Sequence, residues 1–171
     1  HNPPKRYPSM KRFEYLEART VRQAISMLQR YGENARIVAG STDFLVRWRQ
    51  GVWNPEHVIN IQRVAGLSRI TYSSRNGLRI GALVTVRKLE QHPMVSWRYP
   101  ALAAAAASFA GVQVRNLATV GGNICNASPS GDTIPALLVF DAPASYTHLP
   151  LPTKGVVERN VADDLTSIKP S

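Results

Sequence analysis

The sequence has one cysteine, few acidic residues and no long hydrophobic run. The lone cysteine, Cys125, excludes an internal disulfide and fits a reducing compartment, so we expect a cytoplasmic location. No apolar run approaches the roughly 20 residues of a membrane span. The N-terminal segment HNPPKRYPSM also lacks the apolar centre of a secretion signal. The sequence therefore predicts neither a membrane span nor a secreted chain.

The shortage of acidic residues leaves the chain basic. It carries 21 Lys and Arg against 11 Asp and Glu, a formal net charge of +10. Such an excess suggests nucleic-acid binding as one function. However, the arginines are mostly single and spread along the chain, without a block of five or more like charges. We therefore favour a solvated basic surface and expect no nucleic-acid partner. The alternative is a basic module that binds nucleic acid or an acidic protein.

Several catalytic motifs are missing. The sequence has no GKS or GKT of a Walker P-loop, no G-x-G-x-x-G fingerprint and no G-x-S-x-G elbow. The histidines lie far apart without metal-ligand spacing, so we expect no metal site. We also expect no catalytic residue of the chain's own, and any chemistry would depend on a cofactor. These histidines are His1, His57, His92 and His148.

The pattern of elements alternates strands and helices irregularly. KRFEYLEA, ARIVAG and HVINI predict short strands, and Thr20-Val21-Arg22-Gln23 has the form of a capping box before a helix. STDFLVRWRQG predicts a short helix with Ser41 or Thr42 as its N-cap. Asn76-Gly77 predicts a tight hairpin turn, Thr85 a helix cap, and Pro100 the start of an alanine-rich helix. This pattern favours an α+β fold of two small subdomains.

Two glycine-bearing segments stand out as candidate binding loops. AGSTDFL places Gly40 and hydroxyl groups between a strand and a helix start, where unpaired backbone amides and the helix dipole favour a phosphate. TVGGNICNAS offers Gly121-Gly122, which lets backbone amides approach a ligand without an intervening Cβ. Two such loops suit a ligand with two phosphates. The alternatives are a capped turn for the first loop and a bulge for the second. Cys125, beside the glycine pair, is predicted to be a small buried residue that fills space rather than a nucleophile.

These two segments resemble the FAD-binding subunit of the molybdenum hydroxylases. IVAGSTDFL carries the first part of the resemblance, and FAGVQVRNLATVGGNICNASPSGDTIPALLVFDA carries the second. That family includes xanthine, aldehyde and carbon monoxide dehydrogenases and hydroxybenzoyl-CoA reductases. The resemblance covers about Met10 to Asp141, with Ser41 where the family more often has a second glycine.

The resemblance implies the vanillyl-alcohol oxidase-type (PCMH-type) FAD-binding fold, with FAD between two α+β subdomains. The first loop would wrap the FAD pyrophosphate through backbone amides, the second would complete that cradle, Asp132 would hydrogen-bond the cofactor and Phe109 would lie against it. The candidate FAD contacts are Ile37, Val38, Ala39, Gly40, Ser41, Thr42, Asp43, Phe44, Phe109, Thr119, Val120, Gly121, Gly122, Asn123, Ser128 and Asp132.

The resemblance also implies an assembly and a domain organisation. A molybdopterin-binding large subunit and a 2Fe-2S small subunit would be the partners, and electrons would pass through FAD to an acceptor such as NAD. We expect a flexible leader at 1–9, FAD-binding subdomains at 10–60 and 61–142, and an irregular tail at 143–171. The second subdomain would be incomplete, because the family continues beyond Asp141. A stand-alone FAD oxidase of the same fold is a further alternative.

Overall fold

A computed structural model describes residues 11–126, 133–140, 142 and 167–168. The chain divides into two compact units, His1–Val64 and Ala65–Ser171. The boundary therefore lies four residues after the predicted boundary at residue 60. Among the described residues, no helix has the length and apolar character that crossing a bilayer requires.

The first unit is a parallel sheet with helices between its strands. The strand order is β1-β3-β2, and both outer strands run parallel to the central one. Its core contains Val38, Phe44 and Val58. The elements are β1 (Glu14–Glu17), α1 (Val21–Tyr31), β2 (Ala35–Val38), α2 (Thr42–Arg49) and β3 (His57–Asn60).

The start of α1 follows from local sequence. The Thr20 hydroxyl accepts a hydrogen bond from the Gln23 amide at 3.1 Å, as a capping residue should. The Gln23 side chain accepts from the Arg19 amide at 2.9 Å, one residue before the amide that a standard capping box uses. The predicted cap is therefore confirmed, with its reciprocal bond displaced by one residue.

The second unit combines a hairpin with a cluster of short helices. Strand β5 lies between β4 and β6, and both pairings are antiparallel. Its core contains Leu78, Ile80, Leu89 and Leu102. The elements are β4 (Ile70–Ser73), β5 (Gly77–Ile80), α3 (Val86–Glu90), α4 (Pro93–Arg98), α5 (Pro100–Ser108), α6 (Val112–Leu117), α7 (Val120–Asn126), α8 (Ile134–Val139) and β6 (Ser167–Ile168).

Two local features of this unit differ from the sequence-based expectation. Gly77 does not form a two-residue turn with Asn76; it pairs with Ser73 and has a φ of +71°, so the hairpin loop is one residue longer. Strand β6 belongs to the predicted irregular tail and pairs with β5, while most of 143–171 lies outside the described residues. The Thr85 cap is confirmed, since its hydroxyl accepts from the Lys88 amide at 3.2 Å.

Candidate functional site

The first loop lies at the carboxyl edge of the parallel sheet of the first unit. Strands β1, β2 and β3 end at Glu17, Val38 and Asn60, which lie at the same edge because the strands are parallel. The chain leaves β2 at this edge and passes through residues 39–41 into α2. In sheets of this kind, ligands bind beyond the carboxyl ends of the strands. The topology therefore places the predicted phosphate loop where such a ligand binds.

Ser41 occupies the N-cap position of α2 in an unusual conformation. Its φ and ψ are 61° and 7°, in the left-handed region that favours glycine. This conformation costs a non-glycine residue about 1–2 kcal/mol. The hydroxyl does not cap the helix; it donates a hydrogen bond to the Ala39 carbonyl at 3.4 Å. The structure thus assigns the N-cap position to Ser41 rather than Thr42, without the hydroxyl cap that the sequence predicts.

The first turn of α2 presents unpaired amides. Among the described residues, none accepts a hydrogen bond from the backbone N–H groups of Thr42, Asp43 or Phe44. These donors lie at the positive end of the helix dipole, which together with them favours a phosphate. The exposed Asp43 carboxylate in the same turn opposes an anion, although its one charge does not remove the amide donors. This helix start therefore fits a phosphate group of FAD.

Two polar residues that the sequence analysis missed support this loop. The Gln62 side-chain amide donates to the Ala39 carbonyl at 2.7 Å, and the Gln62 backbone amide donates to Asn60 Oδ1 at 3.0 Å. Asn60 is buried, and its side-chain amide donates to the Tyr15 hydroxyl. The signal in the sequence was a pair of amide side chains at and just beyond the end of a buried strand, at positions 60 and 62. These hydrogen bonds tie the loop to the end of β3 at the sheet edge.

Other predicted contacts in the first unit divide into core residues and more exposed ones. Val38 and Phe44 are buried in the unit's core, and the Phe44 ring packs edge-on against Phe13 at 6.0 Å between centroids. Ile37 is exposed, and Gly40 is partly buried. The backbone of the loop, rather than these side chains, therefore carries the candidate phosphate contacts.

The glycine pair of the second unit does not form an open loop. Gly121 and Gly122 lie in the first turn of α7 and have no positive φ. The amides at this turn all donate to protein acceptors at 2.9–3.1 Å. Val120 donates to the Val84 carbonyl, Gly121 to the Ala82 carbonyl, Gly122 to the Thr119 hydroxyl and Asn123 to the Thr119 carbonyl. The amides of this turn are therefore paired within the protein, and contact of these residues with FAD stays a prediction.

Close packing explains why position 121 is glycine. A Cβ on Gly121 would lie 2.8 Å from both Cβ and the carbonyl oxygen of Ala82, closer than real Cβ contacts allow. A Cβ on Gly122 would lie 2.9 Å from Thr119 Oγ1 alone. Gly121 therefore serves the packing of α7 against the Ala82 backbone. The surface at Gly122 is the part of this segment that remains open to a ligand role.

The remaining predicted contacts are distributed as follows. Asn123 accepts a hydrogen bond from the buried Thr133 hydroxyl at 2.5 Å, so its side chain is held in place. Phe109 is half-buried and packs against the core of the second unit. Ser128 and Asp132 lie outside the described residues.

Two further expectations concern cysteine and metals. Cys125 is exposed, so its predicted role as a buried filler is wrong. The protein atoms around it still raise the pKa of its thiol by desolvation. Within the described ranges, no cluster of His, Cys, Asp or Glu side chains has the arrangement of a metal site.

Comparison with known proteins gives a consistent family. Residues 11–148 match the family model described as the FAD binding domain in molybdopterin dehydrogenase. The xanthine dehydrogenase FAD-binding subunit of Escherichia coli O157:H7 is 38% identical over 128 residues, which are 75% of this chain and 44% of that protein. The nicotinate dehydrogenase FAD-subunit of Eubacterium barkeri is 34% identical, covering 78% of this chain and 45% of that protein. The chain thus spans less than half the length of these relatives.

The same relationship appears in three dimensions. A chain of the carbon monoxide dehydrogenase from Hydrogenophaga pseudoflava, in a form that lacks the Mo-pyranopterin moiety of its cofactor, superposes with a TM-score of 0.67 at 35% identity. The superposition covers 70% of this chain and 41% of the other. The predicted α+β, PCMH-type fold is confirmed. The chain belongs to the family of FAD-binding domains of the molybdopterin dehydrogenases.

Proposed function

We propose that this chain is the FAD-binding part of the flavin subunit of a molybdenum-containing hydroxylase or dehydrogenase. Its relatives include FAD subunits of xanthine and nicotinate dehydrogenases, which supports an oxidoreductase complex. We propose a molybdopterin-binding large subunit and a 2Fe-2S small subunit as partners. A cytoplasmic location belongs to the same proposal, since one cysteine fits a reducing compartment.

FAD, when bound, supplies the redox chemistry of the proposed subunit, between the iron–sulfur partner and an acceptor such as NAD. The chain's own task is to bind and orient the cofactor. The unpaired amides of Thr42, Asp43 and Phe44 would donate to phosphate oxygens. Gln62 and Ser41 would keep the loop in the shape that presents those amides. In the second unit, Thr119–Asn123 would contact FAD through the surface at Gly122, and Phe109 through its ring.

The observation that carries this proposal is the uncapped start of α2. A serine at an N-cap normally satisfies one of the first-turn amides with its hydroxyl. Here the left-handed backbone turns the hydroxyl to Ala39 instead, at a conformational cost, and leaves the amides unpaired. Residues held in such conformations are common at ligand-binding sites. A bound phosphate would accept hydrogen bonds from these amides, and this would offset the conformational cost at Ser41.

Flavin retention tests the proposal. The purified chain is mixed with FAD, dialysed and examined for flavin absorbance, with ADP binding measured separately. We expect saturable binding of both ligands. Compared with longer family members, this chain should lose no more affinity for ADP than for FAD, because the start of α2 binds the phosphate half. Absence of FAD and ADP binding, together with tight salt-sensitive binding to random DNA, would instead support the basic interaction module.

A further inference from the structure

Arg115 closes the C-terminal end of the alanine-rich helix α5. Its Nη1 donates to the backbone carbonyls of Ala107, Phe109 and Ala110 at 2.9, 3.0 and 2.7 Å. The last carbonyls of a helix have no partner within it, and a cation there also interacts favourably with the helix dipole. One guanidinium nitrogen therefore contacts three carbonyl oxygens at the end of α5 and in the turn that follows Ser108.

The other side of the Arg115 guanidinium is anchored to α3. Its Nε lies 3.0 Å from Glu90 Oε2, and the two side chains are only 13% and 17% exposed. Neither atom has a well-aligned hydrogen-bond partner among the described residues, so the contact is an ion pair. Glu90 Oε1 accepts from Arg87 Nη1 at 2.9 Å. The carboxylate thus lies between two arginines and fixes the position of Arg115.

The turn that Arg115 holds has a strained backbone. Ala110 has a φ of +41°, in the region that L side chains rarely adopt. Such strain persists when surrounding contacts determine the local backbone, and it is common at functional sites. The Arg115 hydrogen bonds to the carbonyls of Phe109 and Ala110 are such contacts. They hold the backbone at Phe109, whose half-buried ring packs against the core of the second unit.

We propose that Arg115, anchored by Glu90, is a positioning residue that fixes the Phe109 ring for contact with the flavin of FAD. This inference rests on the proposed function, in which Phe109 contacts the cofactor. The competing role is a helix cap that contributes stability alone. The two differ in what they predict for the ligand. A positioning residue affects the flavin half of FAD selectively, whereas lost stability would weaken the binding of FAD and ADP together.

The first test compares affinities for FAD and ADP in the full 171-residue chain. Arg115→Met removes the charge and keeps an apolar side chain of similar reach. An aromatic contact contributes about 0.5–1.5 kcal/mol beyond the area that it buries. We therefore expect Arg115→Met to weaken FAD binding about twofold to tenfold, and ADP binding by less than about twofold. Phe109→Ala should give the same selective loss, and the double variant no further loss.

The second test uses flavin fluorescence. A phenol in contact with a flavin quenches its emission, so Phe109→Tyr should darken the bound flavin. Adding Arg115→Met should restore the emission, and adding Arg115→Lys should keep most of the quenching, because lysine can still reach Glu90 and a carbonyl. Glu90→Gln, which removes the anchoring charge, should act in the same direction as Arg115→Met. Circular dichroism confirms that each variant is folded.

The outcomes separate this inference from the proposed function. No FAD or ADP binding by the unsubstituted chain would overturn both. Binding by the unsubstituted chain with an unchanged FAD-to-ADP affinity ratio in Arg115→Met would overturn the positioning role alone. If Arg115→Met does not fold, Arg115→Lys and Glu90→Gln are each combined with Phe109→Tyr instead. Flavin quenching as strong in both combinations as in Phe109→Tyr alone would overturn the positioning role. A partial loss of quenching with Glu90→Gln would support it.

Discussion

Replacement of Gly121 by alanine tests the packing of α7. The new Cβ would lie 2.8 Å from Cβ and the carbonyl oxygen of Ala82 and 3.0 Å from its Cα. The obstacle is mostly backbone, which cannot rotate away. Overpacking of this kind costs about 1–3 kcal/mol, and displacement of the 2.9 Å hydrogen bond from Gly121 to Ala82 costs about 1 kcal/mol more. The higher helix propensity of alanine returns up to about 1 kcal/mol.

The net expectation for Gly121→Ala is a loss of about 1–3 kcal/mol in the free energy of unfolding. Urea denaturation followed by far-ultraviolet circular dichroism measures it. The matched control is Gly111→Ala, whose Cβ would meet only the flexible Gln113 side chain at 3.3 Å. That variant should change stability by less than about 0.5 kcal/mol. Equal losses in the two variants, or no loss in Gly121→Ala, would refute the packing argument.

Three further predictions concern single side chains. Ser41→Gly should raise the free energy of unfolding by about 1 kcal/mol in a urea titration, because it relieves the left-handed strain; Ser41→Ala, which keeps that strain, should bring no gain. Thr20→Ala should lower it by about 1 kcal/mol, since the Gln23 amide loses its acceptor; a change under 0.2 kcal/mol would contradict the observed cap. Alkylation of Cys125 by iodoacetamide should reach half its maximal rate at a higher pH than in the urea-unfolded chain, because desolvation raises the thiol pKa; coincident pH profiles would be evidence against that shift.

Features governed by neighbouring residues could be predicted from the sequence. The caps at Thr20 and Thr85 were predictable because a hydroxyl and the amide three residues later are close in any helix start. The strand ARIVAG and the helix after it followed from apolar periodicity. The family resemblance of the glycine-bearing segments then supplied the fold and the cofactor.

Features governed by distant residues could not be predicted. Glycines are poor helix formers, so Gly121-Gly122 suggested a turn. The structure makes them helical because the Ala82 and Val84 carbonyls accept two amides of that turn. Ser41 is a favoured N-cap residue, and its neighbours did not indicate a left-handed backbone; the one signal was the glycine that the family more often has at this position. The role of Gln62 likewise depends on the adjacency of β2 and β3, which the sequence pattern does not specify.

We propose above that the start of α2 binds the phosphate half of FAD. The most direct measurement is the FAD dissociation constant of Ser41→Asp against that of Ser41→Asn, by isothermal titration calorimetry at low and moderate salt. Both side chains tolerate the left-handed backbone, so the two variants differ mainly by one negative charge. A carboxylate about 4 Å from a phosphate costs about 1–4 kcal/mol, depending on the dielectric.

We expect Ser41→Asp to bind FAD and ADP at least about fivefold more weakly than Ser41→Asn, with a difference that shrinks as the salt concentration rises. Its folding stability should equal or exceed that of Ser41→Asn, because a negative charge at a helix start is favourable. Equal FAD affinities of the two folded variants would contradict phosphate binding at the start of α2.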